Sequence, residues 1–493
     1  MKLFDLIKDI EIIEKINVKN FEISELASDS REVFDNSLFF AIKGNNFDGN
    51  LYIKEAFNRG AKVVITDKKS EINVPQIIVS NVFDTMDKIA KVFYMPKNNK
   101  KVKLIGVVGT NGKTTTTFIT KSILDCAGKK AGVIGTLGVY YDNVYVEPIL
   151  TTPSLLFLYE TLQNMANNNV EYCVMEVSAH AIYQKRFGSL AFECLIFTNC
   201  TQDHLDYFKT FEEYESTKMS VFNEKYCKFI VVNSDDKTGV KIINNSTAKV
   251  FSYGINNPSD VFAIDVLTSK KGLTFVMNLF DEVINISYQS IGEFNVYNCL
   301  ASATCTAVLG ISTENIKKGI ASVKKVFGRM EYVENFKGAD VYVDYAHTPD
   351  GLENLLKSLR RITKNELILV FGCGGNRDTS KRKIMGKIAG KLADFTIITS
   401  DNPRFEDPYQ IISDIESGMR EESLKYITIQ NRKAAIGYAL SKAKSGDVIV
   451  VAGKGAEEYQ DVMGVKTRFL DVEEIKDTIA KIKFGGDLIW KYI

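Results

Sequence analysis

The chain has 493 residues, of which 45% are hydrophobic, 11% aromatic and 25% charged, the profile of a globular protein. At roughly 100–200 residues per domain, this length predicts about three separate cores. The 62 Lys and Arg offset 61 Asp and Glu, a formal net charge of +1, which excludes a nucleic-acid binder or a polybasic membrane-surface protein working through bulk positive charge.

The opening MKLFDLIKDIEIIEK places Asp5, Lys8, Asp9 and Glu11 where a signal peptide needs an apolar run, and reads as an amphipathic surface helix. No stretch approaches the roughly 18–20 uninterrupted apolar residues of a membrane span, so the chain reads as cytoplasmic, with no nucleic-acid or membrane partner. Residues 1–100 hold the short apolar runs SLFFAI, AKVVIT and PQIIVS and close on the charged link MPKNNKKVK. Residues 101–332 open on KLIGVVG and continue through KAGVIGT, EYCVMEV, ECLIFTN and KFIVVN, with helical segments between. Residues 333–493 repeat the alternation in ADVYVDYA, NELILVFG, DFTIITSD and DVIVVAG. Strands alternating with helices predict α/β domains on parallel sheets, whose ligands bind at the carboxyl ends of the strands. The eight cysteines form no CxxC pair, which argues against a zinc or redox motif; Cys173 and Cys194 lie in apolar runs and are expected to be buried free thiols.

Gly109-Thr110-Asn111-Gly112-Lys113-Thr114-Thr115 follows the strand LIGVV and precedes a helix expected over Thr115 to about Ala127, with Gly128 just past its end. Glycines let backbone N–H groups face phosphate oxygens, and the helix N-terminus adds positive potential. Lys113 can reach the β- and γ-phosphates, and a threonine hydroxyl can ligate Mg²⁺. The strict eight-residue phosphate-loop pattern would need glycine at Val107, yet strand, loop, lysine, hydroxyls and helix together point to ATP or GTP.

The three histidines each sit in a polar cluster at a strand end: His180 after Glu176-Val177-Ser178-Ala179, His204 in TQDHLD, and His347 in DYAHTPD. Glu176, at the end of EYCVM, is placed to bind Mg²⁺ directly or through water. His204 reads as a ligand, while His180 and His347 read equally well as hydrogen-bonded structural residues. Lys218, in TFEEYESTKMSVF, reads by itself as a solvated helix lysine.

Taken together, GTNGKTTT, TTP at 151–153, MEVSAH, TNCTQDHLDYF, ESTK, GEFNVYN and GRM resemble the Mur ligases, ATP-dependent amide-forming enzymes of peptidoglycan precursor synthesis. VDYAHTPDGLENLL, FGCGGNRDTSKR, SDNPRFEDP and AGKGAEEYQ resemble the MurE-type, tripeptide-synthesising branch, which adds a third residue to UDP-N-acetylmuramoyl-L-alanyl-D-glutamate. The resemblance spans nearly the whole chain, SDSREVFDNSLFFAIKGNNFDG included. It implies an N-terminal α/β UDP-binding domain (1–100), a central P-loop ATPase-type domain with a parallel sheet (101–332) and a C-terminal Rossmann-like amino-acid domain (333–493). A monomer is expected, although no motif in the sequence speaks to oligomeric state.

Carried over residue by residue, the resemblance places Ser30 and Arg31 at the uridine nucleotide and Thr151, Thr152, Ser178 and Arg186 at the muramoyl dipeptide. Thr114, Glu176 and His204 would organise Mg²⁺, and Lys218 matches the lysine that becomes carbamylated in this family and so turns into an oxygen ligand. Lys113, Glu176, His204 and Lys218 form the implied catalytic set. Asn295 and Asn298 would approach the adenine, Arg329 the phosphates and Asp344 the ribose. The implied reaction passes through an acyl phosphate on the D-glutamate side chain, which the incoming amine attacks.

Asp401-Asn402-Pro403-Arg404 follows the strand DFTIITS. Asp401 can accept from an ammonium and Arg404 can fork onto a carboxylate, which suits the second amino-acid head of a diaminopimelate and would repel the amine-only end of L-lysine. The resemblance associates DNPR with meso-diaminopimelate and adds Arg377, Gly453 and Glu457 to that ligand's surroundings. Two positions depart from the family pattern: Ala456 stands where KGHEDYQ has histidine, and Ala179 where VSSH has serine. LL-diaminopimelate, lanthionine or L-lysine remain alternatives for the added residue. Among rival readings, DNPR and CGGNRD argue against a folylpolyglutamate synthetase or another Mur ligase, and the intact Lys113, Glu176, His204 and Lys218 against a scaffold without turnover.

Overall fold

The computed structural model describes residues 1–44, 48–95, 100–147 and 150–483; residues 96–99 of the charged link expected at 95–103 lie outside them. Three α/β units are present, each around its own sheet. The first sheet runs in the order Glu14–Ile16, Gln76–Ile78, Ala61–Thr66, Ser37–Phe40, Glu25–Ala27, parallel except for its first pair. Its central strands are the three apolar runs of the sequence, which bury both faces.

The N-terminal amphipathic helix does not form as expected. Only Leu3–Leu6 is helical, and the chain then becomes the antiparallel edge strand Glu14–Ile16. Leu3, Leu6 and Ile7 drop into the core beside Ile23, Leu38 and Ile77. Pairing with a sheet edge and burying these side chains outweighs the weak helical preference of a short segment.

The second sheet has eleven strands. Its parallel centre runs Lys249–Gly254, Cys227–Asn233, Phe192–Phe197, Lys103–Val108, Tyr172–Val177, Ala131–Gly135. Alternate residues of Lys103–Val108 enter different cores: Ile105 and Val107 meet Ile119 and Ile123, whereas Leu104 and Val108 meet Cys173 and Phe197. Burial on both faces explains the unbroken apolar run, each such side chain contributing about 1.5–3 kcal/mol. Further strands extend both edges: Val261–Ser269, still parallel to Lys249–Gly254, followed by the antiparallel Gly272–Leu279 and Glu282–Tyr288 on one, and the antiparallel Gly138–Tyr141 and Val144–Val146 on the other.

The third sheet runs Glu331–Phe336, Ala339–Asp344, Val448–Ala452, Leu367–Phe371, Phe395–Ile398, Tyr426–Thr428, parallel after its first pair. Its first strand begins two residues before position 333. A hairpin, Tyr459–Val462 with Val465–Arg468, stands beside the carboxyl ends of these strands. All eight cysteines are free, and Cys173 and Cys194 are buried as expected. No helix among the described residues is long and apolar enough to cross a membrane.

Candidate functional site

Lys103–Val108 lies between Phe192–Phe197 and Tyr172–Val177, so the strand order reverses beside it, the position where open α/β sheets bind ligands. The helix that follows starts at Lys113, two residues earlier than expected, and ends at Cys126. Gly112 precedes it with φ +84°, in the left-handed region, and a Cβ there would stand 2.5 Å from Asn298 Oδ1. The loop is clamped from the neighbouring strand end: Thr198 Oγ1 donates to the Asn111 carbonyl at 2.7 Å, and Asn199 Oδ1 accepts from Asn111 N at 2.9 Å. Lys113 Nζ donates to the carbonyls of Gly109 and Thr110, both at 2.9 Å, and burial lowers its pKa below the ordinary lysine value.

Thr114 Oγ1 donates to Glu176 Oε1 at 2.9 Å. Thr136 holds the same carboxylate through its backbone N–H at 2.9 Å and its hydroxyl at 3.1 Å. Arg329, from the segment entering the third sheet, donates to Thr114 Oγ1 at 2.9 Å while its guanidinium lies 4.3 Å from the centre of the Tyr345 ring. Thr115, Asn295 and Arg329 line a cavity of about 290 Å³ that also presents Lys324 and Lys325. Asn298 is tied to Thr116 at 3.2 Å and to Asn295 at 2.9 Å. Asp344 accepts the backbone N–H groups of Met330 at 2.6 Å and Ala346 at 2.8 Å, and burial raises its pKa.

Lys218 is not the solvated residue its sequence suggests, for its side chain is fully buried. Its helix, Phe211–Met219, turns Lys218 inward, where Nζ donates to Thr110 Oγ1 at 2.7 Å and lies 4.0 Å from the Tyr214 ring centre. Burial lowers its pKa to about 7. The His204 ring lies 6.2 Å from that of Tyr214, and its pKa falls to about 3, chiefly through desolvation, so the imidazole is neutral at physiological pH. Asp203 is buried beside it. Desolvation opposes its charge, but His347, Lys381 and His204 outweigh this and hold the carboxyl well below the usual range. Lys381 Nζ lies 3.3 Å from Asp203 Oδ1 and His347 Nε2 3.6 Å from Oδ2, so Asp203 joins the central and third units. His347 Nδ1 lies 2.8 Å from the Tyr345 carbonyl and the His180 ring packs against Tyr207 at 4.4 Å, contacts of a structural kind for both.

Glu176 and Thr114 offer hard oxygen donors and His204 a neutral nitrogen. Among the described residues no group of three or more His, Cys, Asp or Glu side chains forms a metal cage. That donor set fits Mg²⁺, which keeps waters and substrate phosphates in its shell and needs few protein ligands.

A cleft of about 1110 Å³ opens between the first and second units, lined by Ser30, Arg31, Phe39, Gly135, Glu147 and Ser154, among others. Ser30 is buried, whereas Arg31 is exposed and forks onto Asp29 at 2.6 Å. Next to the lining residues Pro153 and Ser154, Thr152 Oγ1 donates to the Glu176 carbonyl at 2.8 Å and lies 3.2 Å from Ser178 Oγ, and Arg186 Nη1 donates to the Thr152 carbonyl at 2.9 Å. Thr151 reaches the same cluster through Thr136 at 3.2 Å.

At the carboxyl ends of the third sheet, Asp401 and Asn402 are buried, and Asp401 Oδ1 accepts from Asn402 N at 2.7 Å. Arg404 adopts φ +52° and directs Nη1 to the Gly375 carbonyl at 2.7 Å. Asn402 Nδ2 donates to Glu457 Oε2 at 2.8 Å, and Gly453, with φ +111°, leaves room for Asp401 where a Cβ would sit 2.7 Å from its Oδ2. Arg377 is exposed, 3.8 Å from Asp206 of the second unit. The structure thus gathers Asp401, Asn402, Arg404, Gly453 and Glu457, with Arg377 at the rim.

Sequence reasoning missed Asp203, Lys381, Thr136, Tyr345 and Lys454. Asp203 adjoins the selected His204, and Lys454 lies inside the quoted AGKGAEEYQ, so both were in view. Their burial was not.

Family models match three stretches: "Mur ligase family, catalytic domain" at 22–100, "Mur ligase middle domain" at 107–306 and "Mur ligase, glutamate ligase domain" at 328–455. Two curated relatives are named UDP-N-acetylmuramoyl-L-alanyl-D-glutamate–2,6-diaminopimelate ligase. That of Clostridium tetani is 42% identical, and ligase 1 of Clostridium acetobutylicum 41%; each alignment covers 98% of this chain and 100% of the relative. A solved structure of a ligase of that name is 29% identical with a TM-score of 0.69, covering 98% of this chain and 99% of its own. MurF of Thermotoga maritima in complex with ADP, at 20% identity, 94% and 99% coverage and a TM-score of 0.64, shares the fold. On this identity, carried over almost its entire length, the chain belongs to the Mur ligase family.

Proposed function

We propose that the chain joins meso-diaminopimelate to the D-glutamate side-chain carboxylate of UDP-N-acetylmuramoyl-L-alanyl-D-glutamate, with ATP as co-substrate and Mg²⁺ as cofactor. Residues 1–100 take the uridine nucleotide, 101–332 the ATP and 333–493 the amino acid in this reading. The observation that carries it is a phosphate loop at the strand ends of the second unit, bound through Asp203 and Lys381 to a third unit whose strand ends carry the Asp401–Arg404 turn, in a chain more than 40% identical to ligases of that name.

The γ-phosphoryl group passes from ATP to the carboxylate, giving an acyl phosphate and ADP. The neutral amine then attacks the acyl carbon, phosphate leaves, and the amine's proton is released. Phosphoryl transfer is mainly positioning and charge stabilisation. Lys113, at the mouth of the loop beside the Gly109 and Thr110 carbonyls, meets the β- and γ-oxygens. Arg329, stacked on Tyr345, adds a second cation at the Thr114 hydroxyl. Thr114, Glu176, His204 and carbamylated Lys218 would hold Mg²⁺, which neutralises phosphate charge when bound. Carbamylation needs a neutral amine, and a lysine with a pKa of about 7 provides one. Thr151, Thr152, Ser178 and Arg186 orient the dipeptide, whose nucleotide end lies in the large cleft beside Ser30 and Arg31.

At the other end, Asp401 and Glu457 accept from the distal ammonium of the diamino acid, and Arg404 and Arg377 meet its carboxylate. The test is phosphate release from ATP with the dipeptide substrate and each of meso-diaminopimelate, LL-diaminopimelate, lanthionine and L-lysine. Release only with both co-substrates, and a preference for meso-diaminopimelate, supports the reading; a clear preference for L-lysine overturns its specificity.

A further inference from the structure

Lys454 is fully buried, an unusual place for an ammonium unless every proton finds an acceptor. Three acceptors surround it: Asn402 Oδ1 at 3.2 Å, Glu457 Oε2 at 3.2 Å and the Tyr459 carbonyl at 2.6 Å. These belong to the loop after Phe395–Ile398, the loop after Val448–Ala452 and the hairpin beside them. The two strands are not neighbours, since Leu367–Phe371 lies between them. No strand ladder therefore joins these two strands directly; the Arg404–Val462 backbone bridge ties the Asp401–Arg404 turn to the hairpin, and the Lys454 ammonium and the Asn402–Glu457 bond tie it to the loop that carries Glu457.

The hydrogen bonds also leave a gap. Glu457 Oε2 accepts from both Asn402 and Lys454, which fills its two lone-pair directions, whereas among the described residues Oε1 accepts only the Tyr345 hydroxyl, at 3.3 Å. We infer that Lys454 is a positioning residue for amino-acid recognition, saturating one oxygen of Glu457 so that the other faces the incoming ammonium and stays in register with Asp401. The inference rests on residues 401–404 and 453–457 forming the diamino-acid pocket.

A lysine that merely fastened loops would weaken the fold and all substrates alike, so the test is a comparison of KM values. Lys454→Met keeps the length and packing without the charge; Lys454→Gln keeps part of the hydrogen bonding. In either variant, KM for meso-diaminopimelate should rise at least 10-fold, with kcat within threefold and KM for ATP and for the muramoyl dipeptide within twofold. Adding Glu457→Gln to Lys454→Met should raise KM for the diamino acid less than twofold further, because the two act as a unit. An unchanged KM for the diamino acid, an equal rise in all three KM values, or additive effects overturns the inference. So does failure of both variants to fold, which makes Lys454 a fastener only. If the wild type turns over a different amino acid, the reading of the substrate has failed, and the same comparison with that amino acid decides the role of Lys454.

Discussion

At the phosphate loop, seven consecutive residues, Gly109–Thr115, carry most of the contacts, and their neighbours Glu176 and Thr198 arrive on adjacent strands. At the strand ends of the third unit, Tyr345, Arg377, Asp401–Arg404 and Gly453–Glu457 come from four separate segments, and buried side chains help hold them in register. A contiguous loop has its geometry fixed by short-range backbone conformation. An assembled pocket has its geometry fixed by the order of strands, and its specificity depends on bonds such as Lys454 to Asn402 that span non-adjacent strands.

The comparison is sharpened most by Lys113→Ala. Removing this cation from the ATP end should lower kcat by on the order of 10²–10³-fold while leaving the amino-acid KM nearly unchanged, measured by phosphate release. A large rise in the amino-acid KM instead would mean that the two ends do not act separately. Lys218→Met should lower activity by about 10²-fold through the same end. Because the folded pKa of Lys218 is about 7, the neutral amine that reacts with CO₂ grows as pH rises through 7. A ¹³C carbamate signal from labelled bicarbonate should therefore increase from pH 6 to pH 8 and be absent in Lys218→Met; a signal that falls with rising pH contradicts this.

Arg404→Ala probes the opposite end. Loss of a charged hydrogen bond of about 1.5–3 kcal/mol corresponds to a rise of roughly 10- to 150-fold in the amino-acid KM, with little change in the ATP KM. Equal rises for both would show that the turn supports the whole cleft. The smallest effect is expected from Arg31→Ala. Its pair with Asp29 is exposed, and such pairs contribute about 0–1 kcal/mol, so the melting midpoint should hardly move while KM for the uridine substrate increases. A marked loss of stability would show that Arg31 is a structural residue.

Much of the fold was legible because its strands are buried on both faces, so runs such as LIGVV and LILVF appear without interruption. The antiparallel extension Val261–Tyr288 was not read, although FAIDVLT, LTFVMNL and VINISY alternate with a period of two, since one face of these strands is open to water. The N-terminal segment misled for a related reason: its apolar spacing suits a helix, and only the free edge beside Gln76–Ile78 turns part of it into a strand. Lys218 shows the same limit at the site. Its polar helix, with glutamates at 212, 213 and 215, gives no periodic sign of which residue points inward.

The sequence by itself determined the α/β alternation, the phosphate loop with its lysine and threonines, the acid at the end of the adjoining strand and the DNPR turn, because each is a local pattern with a local physical cause. The tertiary structure alone decided which charges are desolvated. It sets Lys218 against Thr110 and Tyr214, Asp203 between two units, and Lys454 between loops that follow non-adjacent strands. Burial and partnership of an ionisable group depend on residues distant in the chain, so they become fixed only when the strands take their order.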